Sequence, residues 1–268
     1  MSNPLIFMAG PCVIETPEIT LLIAEKLQAI TSALGVEFYF KASYDKANRT
    51  SASAYRGPGL RDGLRILAYI KEKLGVRIVT DVHSVDQVKP VADVVDIIQI
   101  PAFLCRQTDL LLEAGRTGRR VNIKKAQFMA PLDMQYAVQK VESTGNKDIL
   151  VTERGATFGY NNLVVDFRSF SIMKTFGYPV VFDATHSVQI PSQGGKSSGN
   201  REYAIPLARA AAAYGIDGLF CEVHPEPDKA MSDAANTLHL HDVEGLLTSV
   251  MAIRQSAFPP HAGGPRGV

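Results

Sequence analysis

Eight short apolar runs alternate with eight stretches of helical period along the 268 residues, and few folds can use such a chain. The runs occupy residues 5–9, 37–40, 77–80, 94–100, 121–123, 149–151, 180–182 and 218–221. Each is followed by a side chain able to bind or react: Cys12, Lys41, Asp81, Arg106, Lys124, Arg154, His186 and Glu222 in turn. Strand and helix in strict alternation require parallel strands joined by crossover helices. Eight units that start directly from a strand predict a closed (β/α)8 TIM barrel, a single α/β domain over residues 1–258, rather than an open doubly wound sheet. A barrel of this kind carries its chemistry at the C-terminal ends of the strands, where those eight side chains fall.

The first helix shows its boundaries clearly, with Thr16 as N-cap, Pro17 at the first helical position and Glu18 in the first turn. Leu21, Leu22, Ala24, Leu27 and Ile30 then predict its buried stripe. Further helices are expected over 59–74, 85–92, 108–116, 132–143, 167–176, 201–214 and 242–255. Two segments break the rhythm. Residues 189–200, with Gly194, Gly195 and Gly199, read as a lid over the barrel mouth or as a mobile insertion. Residues 259–268, rich in Pro and Gly, read as a disordered tail.

A formal charge of +1 argues against broad attraction to nucleic acid or membrane, so anion chemistry must come from local clusters. The chain has an odd, sparse set of three cysteines and no charged-then-apolar start. Nor does it have an uncharged span of the ~18 residues a membrane helix needs, and the expected location is the cytoplasm.

Strands one, seven and eight are neighbours in a closed barrel, so Cys12, His186, Glu222 and Asp233 in the following loop can meet. Thiol, imidazole and carboxylates together suit a divalent transition metal such as zinc, iron or manganese. Read singly, Cys12 is as well explained as a small buried hydrophobe and His186 as a hydrogen-bonded histidine. A second constellation is basic: Lys41, Lys46, Arg49, Arg106, Lys124, Lys125 and Arg154. Phosphate recognition needs several such donors converging on one group, and two separated subclusters suggest two phosphorylated ligands. Asn48 and Thr50 beside Arg49 add neutral donors for a phosphate or sugar hydroxyls.

At these residues the chain resembles the 3-deoxy-D-manno-octulosonate 8-phosphate synthase family. The likeness runs over roughly residues 5–255 and is carried by Gly10-Pro11-Cys12-Val13-Ile14-Glu15, Lys41 to Ser51, Gln99 to Asp109 and Asp183 to Gln189. Thr152-Glu153-Arg154-Gly155, Phe158 to Asp166 and Glu222-Val223-His224-Pro225-Glu226-Pro227 extend it. The resemblance implies a homotetrameric barrel that condenses phosphoenolpyruvate with D-arabinose 5-phosphate, releases inorganic phosphate and feeds the lipopolysaccharide inner core. A Cys at position 12, where other members have Asn, implies the metal-dependent group, with Cys12, His186, Glu222 and Asp233 as ligands. It further implies that Lys41, Lys46, Lys124 and Arg154 bind phosphoenolpyruvate, and that Asn48, Arg49 and Thr50 receive the pentose phosphate. Arg106 would reach the pentose phosphate of a neighbouring subunit. Cys12, Lys41, Asn48, His186 and Asp233 form the implied catalytic set, while Asp81, His83 and Gln99 at strand ends are second-rank members of a substrate or proton network.

Some positions depart from the family pattern. Thr50 stands where Ser is common, and Asn236-Thr237-Leu238-His239-Leu240 lacks a usual proline, which predicts a looser loop after Asp233. His239 and His241 add imidazoles that could take up metal adventitiously. The nearest rival is 3-deoxy-D-arabino-heptulosonate 7-phosphate synthase, which uses erythrose 4-phosphate. Its second-strand motif runs Lys-Pro-Arg-Thr, where this chain has Lys46-Ala47-Asn48-Arg49. A non-catalytic sugar-phosphate-binding barrel is the rival from another class.

Overall fold

A computed structural model describes residues 4–49, 51–191 and 198–258. Eight strands form the barrel: β1 Ile6–Gly10, β2 Glu37–Lys41, β3 Arg77–Asp81, β4 Ile97–Ile100, β5 Arg120–Lys124, β6 Ile149–Glu153, β7 Val180–Asp183 and β8 Gly218–His224. The alternating helices are α1 Pro17–Leu34, α2 Leu60–Leu74, α3 Val85–Ala92, α4 Thr108–Arg116, α5 Met134–Glu142, α6 Arg168–Lys174, α7 Ala204–Tyr214 and α8 Val243–Ala257. Every strand pairs in parallel with the next, and β8 pairs with β1 through Ile6 opposite Gly218, so the sheet closes. The expected TIM barrel is the fold observed. Thr50, the segment 192–197 expected in a lid, and the tail 259–268 lie outside the described residues.

Alternation along each strand divides the apolar residues between two cores. Ile6, Met8, Tyr39, Val79, Ile97, Leu150, Val181 and Phe220 fill the barrel, while Phe7, Phe40, Ile78, Val121 and Phe182 face the helices. Burial on both faces is why the strands read as continuous apolar runs. A ring such as Phe7 contributes roughly 1.5–3 kcal/mol, against about 1 kcal/mol for a helix cap, so the sandwiched sheet holds the fold. At the floor, the Tyr39 hydroxyl donates to Glu37 Oε1 (2.8 Å) and accepts from Arg77 (2.9 Å) and Arg120 (2.8 Å). Burial and the Glu37 bond push this phenol up to about 12.

Helix α1 begins as expected, Thr16 Oγ1 accepting from the Ile19 amide (3.3 Å). Its stripe is rotated, however: Thr20, Ile23, Ala24, Leu27 and Thr31 are buried and Leu22 is 45% exposed. Thr20 and Thr31 donate back to Thr16 O and Leu27 O, and these internal bonds let hydroxyls occupy the inward face. The apolar run 94–100 becomes strand only at Ile97, because the Val94 and Val95 amides still bond Val91 O at the end of α3. The helices expected over 132–143 and 201–214 begin later, at Met134 and Ala204, each after a short 3-10 turn. Among the described residues no helix is long and apolar enough to cross a membrane.

The mouth needs one close approach. A Cβ on Gly10 would stand 2.1 Å from Lys41 O, so β1 ends on glycine where it meets β2. Two short antiparallel pairs add to the rim, Ala156–Thr157 with Leu163–Val164 and Gln189–Ile190 with Ser198–Gly199.

Candidate active site

The ends of β1, β7 and β8 bring the four expected ligands together. One donor atom each of Cys12, Glu222 and Asp233 lies within 4.8 Å of the other two. His186 Nε2 stands 3.7 Å from Glu222 Oε1 and 4.0 Å from Asp233 Oδ2. Glu222 is fully buried, and neither carboxylate oxygen has a hydrogen-bond donor among the described residues. An acceptor so placed calls for a cation. Lys46 and Lys41 approach Glu222 Oε1 at 3.6 and 3.8 Å, beyond hydrogen-bond reach. The Cys12 thiol is pushed up by burial and by Glu222, and it donates to Asp233 Oδ2 at 3.1 Å. A divalent metal would displace that proton, and the mixed sulfur, nitrogen and oxygen set fits zinc, iron or manganese.

Asp233 adopts φ 48°, a left-handed conformation that Asp tolerates better than most residues. Backbone hydrogen bonds and a short strand pairing hold the loop after it. The Asn236 and Thr237 amides donate to Asp233 O, and Leu238–His239 pairs with Val223–His224. His239 and His241 stack at 4.9 Å, but His239 Nε2 faces the Arg201 guanidinium at 3.3 Å, a poor neighbour for a metal ion.

Asp183 organises one wall. Its Oδ1 accepts from the Thr185 (3.0 Å) and His186 (2.8 Å) amides. Its Oδ2 meets His186 Nδ1 at 2.8 Å and pairs with Lys124. Burial alone would raise this carboxyl; His186, Lys124 and the hydrogen bonds outweigh it and hold the group well below the usual range. Holding Nδ1 on a carboxylate turns Nε2 toward the other ligands, as in carboxylate–histidine–metal triads. Lys124 is itself lowered by burial, against the opposing pull of Asp183.

The opposite wall is a chain of polar contacts. Lys41 Nζ donates to Ser43 Oγ (2.7 Å), and Ser43 donates to Asp81 Oδ1 (2.5 Å). Asp81 Oδ2 then meets His83 Nε2 at 2.9 Å. Burial would raise Asp81, but Lys41 and His83 hold it well below its ordinary value. Phe220 closes the site from below, with Lys124 Nζ 4.2 Å and Lys41 Nζ 5.7 Å from its ring centre. Arg154, buried and lowered by that burial, donates to Gln189 Oε1 (2.6 Å), and Gln189 Nε2 reaches Asp233 Oδ1 (3.3 Å).

The structure thus gathers Cys12, Lys41, Lys46, Asp81, Lys124, Arg154, His186, Glu222 and Asp233 at one mouth. Gln99 lies in a polar layer within the barrel, accepting from Asn122 (3.2 Å), which in turn accepts from Thr152 (2.6 Å). Lys125 serves the scaffold, buried against Glu153 (3.3 Å) and Gly155 O (3.2 Å). Asn48 is exposed, while Arg49 is half-buried and bonds to Met231 O (2.6 Å) and Tyr55 O (2.9 Å). Arg106 is exposed and lines a separate cleft of about 340 Å³ with Phe128, Met129, Tyr136 and Lys140. Asp183, Ser43, Phe220 and Gln189 were missed as site residues. Only the three-residue spacing of Asp183 to His186 could have pointed to one of them.

The family model of the DAHP synthetase I family matches residues 1–256. The 2-dehydro-3-deoxyphosphooctonate aldolase of Geobacter metallireducens is 60% identical over 253 residues, covering 94% of this chain and 93% of the relative. The protein of the same name from Geobacter sulfurreducens is 59% identical over 252 residues, with 94% and 93% covered. That from Desulfatibacillum aliphaticivorans is 58% identical over 258 residues, with 96% and 94% covered. Likeness of this extent, spanning every barrel strand and both walls of the mouth, means that the chain belongs to the DAHP synthetase I family.

Proposed function

We propose that this chain condenses phosphoenolpyruvate with D-arabinose 5-phosphate and water to give 3-deoxy-D-manno-octulosonate 8-phosphate and inorganic phosphate, a reaction serving lipopolysaccharide inner-core synthesis. The observation that carries the reading is the meeting of four cations, Lys41, Lys46, Lys124 and Arg154, with Cys12, His186, Glu222 and Asp233 at one barrel mouth. The relatives' shared name, 2-dehydro-3-deoxyphosphooctonate aldolase, denotes the same reaction.

In chemical terms, the enol carbon of phosphoenolpyruvate bonds to the aldehyde carbon of the pentose, and water adds to the carbon bearing the phosphate ester. Cleavage of that carbon–oxygen bond then expels phosphate. Two phosphorylated substrates repel each other, and closely spaced Lys and Arg offset this repulsion. Lys41, Lys46, Lys124 and Arg154 hold the phosphoenolpyruvate. Asn48, Arg49 and Thr50 receive the pentose phosphate. Asp183 orients His186, and the Lys41–Ser43–Asp81–His83 chain can move a proton toward or away from the mouth. Gln99, paired with Asp81 in the β3–β4 ladder, is a secondary substrate contact. Cys12, His186, Glu222 and Asp233 would hold a divalent zinc, iron or manganese ion, which supplies Lewis acidity toward a substrate or water oxygen.

The working form is a cytoplasmic homotetramer in which Arg106 completes a neighbouring site. Its exposure in one cleft with the exposed Phe128 and Tyr136 supports this, since apolar side chains grouped around a cation suit a subunit contact.

The test is phosphate release from phosphoenolpyruvate by metal-supplemented enzyme, with arabinose 5-phosphate and erythrose 4-phosphate in parallel. Release with the pentose alone is expected. Preference for the tetrose would move the chain to heptulosonate synthesis, and release with neither would leave a sugar-phosphate-binding barrel.

A further inference from the structure

Three loops at the mouth are closed into one ring of hydrogen bonds by a residue outside the ligand and cation sets. Glu15 follows β1, and its side chain is 10% exposed. Its Oε1 accepts from the Met231 amide at 2.9 Å. Met231 O accepts from Arg49 Nη2 at 2.6 Å, and Arg49 Nε donates to Tyr55 O at 2.9 Å. The Tyr55 hydroxyl returns to the start, shared between Ile14 O (2.9 Å) and Glu15 O (3.2 Å). The ring therefore joins the loop after β8, the loop after β2 and the turn after β1. The other oxygen of Glu15 faces His224, beyond hydrogen-bond reach. Nδ1 of that ring accepts from the Glu226 amide (3.1 Å), so its proton is on Nε2, which faces Glu15 Oε2 at 3.6 Å.

We propose that Glu15 is a positioning residue that couples the metal-ligand loop to the phosphate-binding loop. Asp233 lies two residues beyond Met231, so the bond from Glu15 fixes the backbone that presents this ligand. Arg49 is anchored on the same residue through its carbonyl. An arginine held by two backbone carbonyls keeps its remaining donors directed, which lowers the ordering cost of binding a phosphate ester. Because both functions share one clasp, an occupant on either side favours the geometry of the other, and such coupling is reciprocal. The inference rests on the condensation proposed above for its pentose arm and on the ligand set alone for its metal arm.

Glu15→Ala and Glu15→Gln in the full-length protein test it. Glutamine keeps an oxygen that accepts from the Met231 amide, whereas alanine removes it. For Glu15→Ala we expect the KM for arabinose 5-phosphate to rise about tenfold, as the loss of a charge-assisted bond implies, with the KM for phosphoenolpyruvate unchanged. Zinc should also pass to a chromophoric chelator at about tenfold lower chelator concentration, read without any substrate. Glu15→Gln keeps an acceptor for the Met231 amide but loses the charge and turns its NH2 toward the His224 Nε2–H, so it should fall between the parent and Glu15→Ala in both readouts. Parental values in a folded Glu15→Ala variant, or an equal rise in both KM values, would overturn the proposal. If Glu15→Ala does not fold, Tyr55→Phe opens the ring elsewhere and should shift both readouts in the same direction by a smaller factor; no shift would count against the clasp. Should the parent fail to release phosphate with any aldose phosphate, the condensation falls, and zinc retention in Glu15→Ala still decides the metal arm.

Discussion

Asp81 is a buried carboxylate whose lowered pKa, like those of Asp183 and Asp233, makes stability depend on pH. Burial opposes its charge, yet Lys41, His83 and Lys46 hold its pKa well below the ordinary value near 3.9. A carboxyl depressed on folding stabilises the native state fully above its unfolded pKa, and that contribution is lost as pH falls through the folded value. Asp81→Asn should therefore be less stable than the parent at neutral pH, with the gap closing as pH drops below about 4. Urea unfolding at a series of pH values measures this, and a pH-independent gap would refute it. The rim residues Cys12, Lys41, Lys124, Arg154, His186 and Glu222 were legible in the sequence because each follows an apolar run. Ser43, Asp183 and Gln189 were not, since they act through bonds to residues 38, 59 or 44 positions away in the chain or through a charge that is ordinary at a strand end.

Elements meet here through glycine. Gly63 lies within α2, where Ala would be favoured by about 1 kcal/mol on helix propensity alone. A Cβ there would stand 2.3 Å from Tyr44 Cβ, a clash with a fully buried ring that no rotamer relieves. Overpacking of this kind costs about 1–3 kcal/mol, so packing outweighs propensity. Gly63→Ala should lower the urea midpoint and loosen the β2–α2 corner; a stabilised variant would show that α2 can shift freely. Helix and strand existence were readable at this scale from periodicity and caps, as Thr16 and Pro17 illustrate. The buried face of α1 was not, because Thr20 and Thr31 satisfy their hydroxyls within the helix and so bury against the apolar expectation.

Across the whole molecule, the barrel places nearly all proposed substrate contacts of one site on one chain and sets Arg106 apart. If Arg106 serves a neighbouring subunit, Arg106→Ala and Lys41→Ala chains should each be inactive alone and regain activity when co-expressed. In randomly mixed assemblies about a quarter of the sites would be intact. No recovery in mixed assemblies of normal size would show that Arg106 does not serve a neighbouring chain's site. By itself the sequence determined the (β/α)8 order, because alternating burial on two faces and helical period are local patterns written along the chain. It also determined which chemistry stands at each strand end. Only the tertiary structure decided that Glu222 is a buried acceptor lacking a hydrogen-bond donor among the described residues, that Asp183 holds His186 and Lys124 together, and that Glu15 clasps Met231 to Arg49. The Glu15 clasp depends on closure of β8 against β1, which brings residues more than 200 positions apart within hydrogen-bond reach.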